Sequence, residues 1–289
     1  MRELGDAINA QCPMPNAPFP LEKYLFMIDF SWLILVAGGL ISGVIAGLLG
    51  IGGGIITIPL LVTLGYTPVQ AIATSSLAIV ITSISGSLQN WWMGYFDFKR
   101  VIYLGIPAFL TTGIGVYFAN KIPSYIILFT FGIILLANIY LIELRKQLIF
   151  KEKENTEPVF NSLVSKIGTG GAAGILAGLF GLGGGTIMVP LQMLLLKEEI
   201  KVAIQTSLGV IVITALAACT GHALEGNILF FQGIVLGCGG LLGVQMSTRT
   251  LPKLPDSTVN LVLRIFLGTL SIYLFWEAWI NYQQIVTNS

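Results

Sequence analysis

The residues best suited to chemistry in this chain are glycines. Gly52, Gly53 and Gly54 interrupt one apolar stretch, and Gly183, Gly184 and Gly185 interrupt another. Glycine costs about 1 kcal/mol relative to Ala inside a helix, so three in succession predict a break. A helix that restarts after the break exposes its first N–H groups, and these together with the helix dipole favour an anion. Glycine also lets neighbouring N–H groups converge into a nest. Polar side chains follow on the next segment: Thr74, Ser75 and Ser76 in one half, Gln205, Thr206 and Ser207 in the other. Their hydroxyls and amides can replace an oxyanion's hydration without a fixed counter-charge. Equally, the hydroxyls can bond the carbonyl one turn back. His222, in TGHALEGN, reads either as a neutral histidine at a helix end or as a proton-sensitive anion contact, since histidine titrates near neutrality.

These elements occur twice. In SGVIAGLLGIGGGIITIPLL, which begins at Ser42, the residues Gly43, Gly47, Gly50 and Pro59 match Gly174, Gly178, Gly181 and Pro190 of AGILAGLFGLGGGTIMVPLQ. The triplets match at the same offset. AIATSSL from Ala71 is followed in the second half by AIQTSLG from Ala203, and Asn90 falls beside His222. The pattern implies an internal duplication, which many transporters carry. Gly43 with Gly47, and Gly174 with Gly178, have the small-xxx-small spacing that lets two helices approach closely.

Composition says what must hold these residues. Of 289 residues, 55% are hydrophobic and only 10% are charged, with a mean hydropathy of +0.85. Soluble domains carry roughly 25% charged residues, so lipid is the solvent for most of this chain. A cytosolic enzyme, a nucleic-acid binder and a disordered protein are excluded. Net charge is +1 and gives no bulk attraction to an acidic partner. Three cysteines, Cys12, Cys219 and Cys238, form no disulfide framework, and a single histidine excludes a His-rich metal site. No Ser/His/Asp set, metal cluster or nucleotide loop is present, and the GxGGG elements lack the βαβ context of a dinucleotide site. No enzyme activity, metal or cofactor is expected.

The fold class expected is all-α, a polytopic membrane protein of two homologous, inverted four-segment repeats. Single crossings fit residues 69–93, 100–119, 123–143, 200–222, 228–248 and 257–282. The apolar run 167–196 has 30 residues, about 45 Å as one helix against a hydrocarbon core of about 30 Å. Two half-helices with a break between them at the glycines explain it better, as a broken span or as a re-entrant hairpin. Basic residues concentrate in cytoplasmic loops. If each glycine segment crosses, they divide nine against five; if each turns back, eleven against three, with Arg264 set aside inside a span. The hairpin reading puts the central loop in the cytoplasm and both termini outside. Residues 24–65 nevertheless leave room for an additional full crossing.

The expected organisation is an extramembrane tail (1–23), a first repeat (24–144), a cytoplasmic linker (145–162), a second repeat (163–282) and a tail (283–289). The Pro-rich CPMPNAPFP cannot be helical throughout, and no secretory signal is read there. Trp91, Trp92, Tyr95 and Phe96, then Trp276, Trp279 and Tyr282, read as interface belts. Arg264 either snorkels or steers anions. Glu225 and Asn227 are expected to face water, and Asp29 and Glu277 receive no role.

At the paired GLLGIGGG…PLL and GLFGLGGG…VPL motifs, with the ATSS and QTSLG segments and the GH…GN element, the chain resembles the TauE/SafE family over about residues 30–280. That family comprises sulfite exporters and 4-toluene sulfonate uptake permeases, usually described with seven or eight spans. The resemblance implies a plasma-membrane transporter whose substrate is a small sulfur-containing anion, sulfite or an organosulfonate. The anion would lie at midplane between the breaks, cradled by residues 52–54 and 183–185 and lined by the Thr, Ser and Gln residues above. Protons are the candidate coupling ion and a homodimer the candidate assembly. An anion channel with the same site is the first rival reading. The second is a membrane scaffold or assembly protein that uses its glycines for packing alone, for which Gly53→Ala and Gly184→Ala would damage folding rather than flux.

Overall fold

The structure, a computed structural model, describes residues 21–119, 121–151 and 162–288. Most of the expected N-terminal tail with Cys12, the middle of the expected linker and Ser289 lie outside the described residues. The chain divides into residues 1–34 and residues 35–289. The first unit carries the start of helix α1, and everything below concerns the second.

All regular structure among the described residues is helical. The order is α1 (Leu21–Leu49), α2 (Gly54–Thr63), α3 (Pro68–Trp92), α4 (Phe98–Ala119), α5 (Ser124–Lys151), α6 (Ser162–Phe180), α7 (Gly185–Leu195), α8 (Ile200–Leu224), α9 (Phe230–Thr250), a 3-10 turn (Leu251–Lys253) and α10 (Asp256–Asn288). Among the described residues six stretches are long and apolar enough to cross a bilayer: Trp32–Leu49, Pro68–Trp92, Phe98–Ala119, Ile200–Leu224, Phe230–Lys253 and Asp256–Gln283. Large apolar side chains such as Ile106, Phe109, Leu110 and Ile272 are exposed on the outer surface, as lipid solvation requires. Trp91, Trp92, Trp276 and Trp279 are exposed as well, as expected of belt residues. The expected crossing 123–143 belongs to α5, which continues to Lys151.

Local chemistry sets the helix ends. Thr67 caps α3: its hydroxyl accepts from the Gln70 N–H while the Gln70 side chain accepts from the Thr67 N–H, and Pro68 takes the first helical position. The α3 and α8 termini share one design. Gly94 (φ +79°) and Gly226 (φ +71°) lie just past the helix, and the next residues, Tyr95 and Asn227, donate back to the carbonyls of Asn90 and His222. This is the Schellman arrangement, which needs a left-handed residue that glycine supplies without strain.

Glycine seams pack the long helices. A Cβ on Gly39 would fall on the Leu236 carbonyl and one on Gly43 on the Gly240 carbonyl, while Gly239 and Gly243 lie on the carbonyls of Val36 and Leu40. Thus α1 and α9 run parallel, backbone on backbone. In the same way Gly170, Gly174 and Gly178 of α6 lie on the carbonyls of Leu104, Ala108 and Thr112 of α4. The close approach follows from small residues every fourth position, the packing role expected of Gly43, Gly47, Gly174 and Gly178.

These contacts give the path of the chain. Gly233 meets Leu77, Gly237 meets Ile81 and Gly86 meets Val244, so α3 is parallel to α9 and therefore to α1. Gly105 meets Ile213 and Gly209 meets Val101, so α4 is parallel to α8 and to α6. Since α1 and α3 share a direction, the short α2 between them must run back. It does: Gly54 lies against Ile79 and Thr57 against Ser75, an antiparallel pairing with α3. The α7 helix returns likewise along α8, with Gly185 against Ile211 and Gln192 bonded to the Ala203 carbonyl. Each glycine segment therefore folds back on itself as a helix–break–helix hairpin, and α1 is a long arm leading into the first break. The loops 93–97, 196–199 and 251–255 share the side of the linker between α5 and α6, whereas 64–67, 121–123 and 225–229 lie on the other.

Candidate functional site

The two breaks are built alike. Gly50, Gly52 and Gly53 have φ of +67°, +88° and +78°, and Gly181, Gly183 and Gly184 have +62°, +72° and +77°. An L side chain pays about 1–2 kcal/mol for this conformation, which explains why glycine occupies every left-handed position in the breaks. Gly54 and Gly185 then open α2 and α7, and neither helix has a side-chain cap.

The breaks also touch. A Cβ on Gly52 would stand 2.8 Å from the Leu182 carbonyl oxygen, and one on Gly54 2.9 Å from that of Gly181. One on Gly185 would fall on the Gly50 carbonyl. Backbone thus lies on backbone at the level of Ile79 and Ile211, in the middle of α3 and α8, and these two side chains close the remaining flank. All residues from Gly50 to Ile55 and from Gly181 to Thr186 are buried.

Hydrogen bonding within the breaks is one-sided. Carbonyls are taken: Gly50 by the Ser207 hydroxyl at 2.8 Å, Gly53 by Ser42 at 2.6 Å, Gly183 by Thr214 at 2.8 Å. The N–H groups of Gly52, Gly53, Gly54, Gly183, Gly184 and Gly185 reach no acceptor among the described residues. Buried amide donors without acceptors are rare, and a surplus of them at two helix starts makes the region electropositive without any charged side chain.

The polar residues expected around the breaks divide into three groups. Ser207 holds the first break directly, and Ser75 bonds Thr57 of α2 at 2.7 Å, one turn into the re-entrant helix. Thr74 is turned to the start of α9, where its hydroxyl accepts from the Leu229 N–H at 3.1 Å, and Ser76 bonds the Ile72 carbonyl one turn back. Gln205 and Thr206 are buried. His222 stands apart near the end of α8, fully buried, facing the Gly178 carbonyl of α6 without closing a hydrogen bond of good geometry to it. Sequence reasoning missed Ser42, Thr57 and Thr214. Ser42 heads the repeated block, so its position was a usable signal; Thr57 and Thr214 sit among apolar residues with nothing local to mark them.

The glycine-to-alanine test takes a different meaning in this geometry. A Cβ on Gly53 would meet Ser42, and one on Gly184 the Ala173 carbonyl. Alanine there disturbs packing whatever the site binds, so it does not separate scaffold from transporter.

A small apolar cavity of about 30 Å³ adjoins the breaks, lined by Ile55, Ile72, Phe180 and Leu182 with Ile127 and Leu270 of α5 and α10. Among the described residues no group of three His, Cys, Asp or Glu side chains is placed to hold a metal ion.

Comparison with known proteins agrees with this architecture. Residues 35–274 match the family model described as sulfite exporter TauE/SafE. The chain is 31% identical over 273 residues to the "Probable membrane transporter protein YunE" of Bacillus subtilis (strain 168), covering 86% of this chain and 98% of that protein. A "Probable membrane transporter protein" of Xylella fastidiosa (strain Temecula1) is 25% identical, with 86% and 97% covered. MJ0441 of Methanocaldococcus jannaschii, also named a probable membrane transporter protein, is 26% identical, with 87% and 97% covered.

Proposed function

The chain belongs to the sulfite exporter TauE/SafE family of membrane transporters, and from that premise we propose that it is a secondary transporter of a small sulfur-containing anion, sulfite or an organosulfonate. The observation that carries this reading is the pair of touching left-handed breaks in which the Gly50, Gly53 and Gly183 carbonyls accept hydroxyls while the N–H groups of residues 52–54 and 183–185 reach no acceptor among the described residues. An oxyanion offers the acceptors these donors lack, and neutral amides release it more readily than a lysine or arginine would.

The cradle in this reading is the N–H groups of residues 52–54 and 183–185. Ser75 and Ser207 stand nearest to it, Thr74, Ser76, Gln205 and Thr206 lie further along the same helices, and His222 is an outlying contact. The breaks meet in a closed arrangement, so uptake requires them to part. The two halves then act as inverted repeats, with α1, α2 and α3 in one orientation and α6, α7 and α8 in the other, rocking about the glycine seams. By the positive-inside rule the linker side, which holds Lys99, Arg100, Lys197, Lys201, Arg249 and Lys253, faces the cytoplasm of a plasma membrane. Protons are the proposed coupling ion.

Purified protein in liposomes tests this. The expected result is saturable uptake of sulfite or a sulfonate, with sulfate and chloride transported poorly, and a rate that responds to a pH gradient. Absence of uptake for every sulfur anion removes the substrate assignment. Currents far above carrier turnover replace the carrier with a channel.

A further inference from the structure

Asn90 and His222 occupy corresponding places near the ends of α3 and α8. Both are 0% exposed. Neither the amide oxygen and nitrogen of Asn90 nor the two ring nitrogens of His222 make a hydrogen bond among the described residues. Their backbone carbonyls are fixed in identical fashion, accepting from Tyr95 at 2.9 Å and Asn227 at 3.2 Å, so each side chain is presented from a rigid helix terminus.

Burying an amide or an imidazole without a partner is costly, and an unsatisfied buried group calls for water, an ion or a ligand that meets it. A leucine would fill either place at lower cost. The two residues also lie on opposite sides of the breaks. The Leu229 N–H, just past the end of α8, bonds Thr74 near the start of α3, while Phe96, just past the end of α3, packs on Gly209 near the start of α8. Asn90 therefore lies on the linker side and His222 on the other. Toward the breaks, His222 faces Gly178, three residues before the second break begins, and the unpartnered hydroxyl of Ser87 lies one turn before Asn90 on α3. On the linker side Gln89, next to Asn90, also holds the Arg249 guanidinium at 3.3 Å, which attracts an anion toward that end.

We infer that Asn90 and His222 are staging sites for the oxyanion, one on each side of the central breaks, each donating hydrogen bonds to it between bulk water and the glycine amides. The inference rests on the transport reading above. Both side chains donate while neutral, which suits brief holding.

Two measurements test it, and they fail separately from the transport reading. First, Asn90→Cys and His222→Cys are made in a chain carrying Cys12→Ser, Cys219→Ser and Cys238→Ser. The variants are exposed, in sealed vesicles, to a membrane-impermeant anionic methanethiosulfonate that itself carries a sulfonate. The thiol at position 90 is expected to react from the linker side alone, the thiol at 222 from the opposite side alone, each protected by an added unreactive sulfonate such as 4-toluene sulfonate. Labelling at neither position, or at both from one side, overturns the inference whether or not transport is found. Second, Asn90→Leu is expected to raise KM about tenfold for anion presented on the linker side, and His222→Leu on the other, each sparing the opposite face. His222→Asn, which restores a donor, is expected to keep KM near the parent value. Equal KM on both faces in both leucine variants overturns the inference, whereas no flux in the parent protein overturns the transport reading alone.

Discussion

The Ser207 hydroxyl donates to the Gly50 carbonyl at 2.8 Å across 157 residues of chain, so the first break is fastened by the second half of the molecule. Its counterpart Ser75 does otherwise and bonds Thr57 on its own hairpin. Losing Ser207 strands a buried carbonyl, while losing Ser75 leaves Thr57 its second acceptor, the Gly54 carbonyl at 3.3 Å. Ser207→Ala is expected to cost about 1–3 kcal/mol and Ser75→Ala about 1 kcal/mol or less. Thermal unfolding in detergent measures both, and an equal or inverted order would count against the assigned bonds.

Left-handed glycines are not equivalent. Gly226 has φ +71° and open space around its Cβ position, whereas Gly184 has φ +77° and the Ala173 carbonyl in the way. Gly226→Ala is expected to lose about 1–2 kcal/mol from backbone strain. Gly184→Ala adds steric overlap and should lose more, by about 1–3 kcal/mol. Comparing the two melting temperatures isolates the packing contribution.

The seams make a sharper claim. Gly178 lies on the Thr112 carbonyl and Gly43 on that of Gly240, so Gly178→Val or Gly43→Val must separate two helices. A sharp loss of monodisperse protein is expected for either. Gly113 and Gly168 lie on helices with nothing within 4 Å of a Cβ, so alanine there is expected to be neutral or to stabilise by up to about 1 kcal/mol. Size-exclusion profiles of the four variants decide it, and a well-behaved Gly178→Val would remove the seam.

Topology gives a further prediction. The linker side and the C-terminal end of α10 lie at opposite ends of the bundle, because α5 and α10 are antiparallel: Tyr125 meets Tyr282 edge to face and Ser271 bonds the Gly132 carbonyl. A reporter at Ser289 is expected outside the cell and one inserted in residues 152–161 inside. Both on one side would contradict the hairpins.

Where the breaks lie was legible because a left-handed backbone is a local property, and three glycines in lipid have few other uses. The return of α2 and α7 was legible indirectly, through where lysines and arginines had to fall. What occupies each break's carbonyls was not. Ser42, Thr57 and Thr214 are single hydroxyls whose role depends on a hairpin closing eleven residues later or on a neighbouring helix. Thr74 looked like a lining residue by spacing alone, yet its hydroxyl ties α3 to the loop before α9, a contact separated by 155 residues.

The parallel pairing of α1 with α9 and of α4 with α6 bears on biogenesis. When a ribosome has synthesised only as far as α5, α1 has no partner for Gly39 and Gly43, and the α4 carbonyls that will receive Gly170, Gly174 and Gly178 face acyl chains. An N-terminal fragment should therefore stay a substrate for membrane quality control until the C-terminal helices arrive, and supplying them as a separate polypeptide should rescue it.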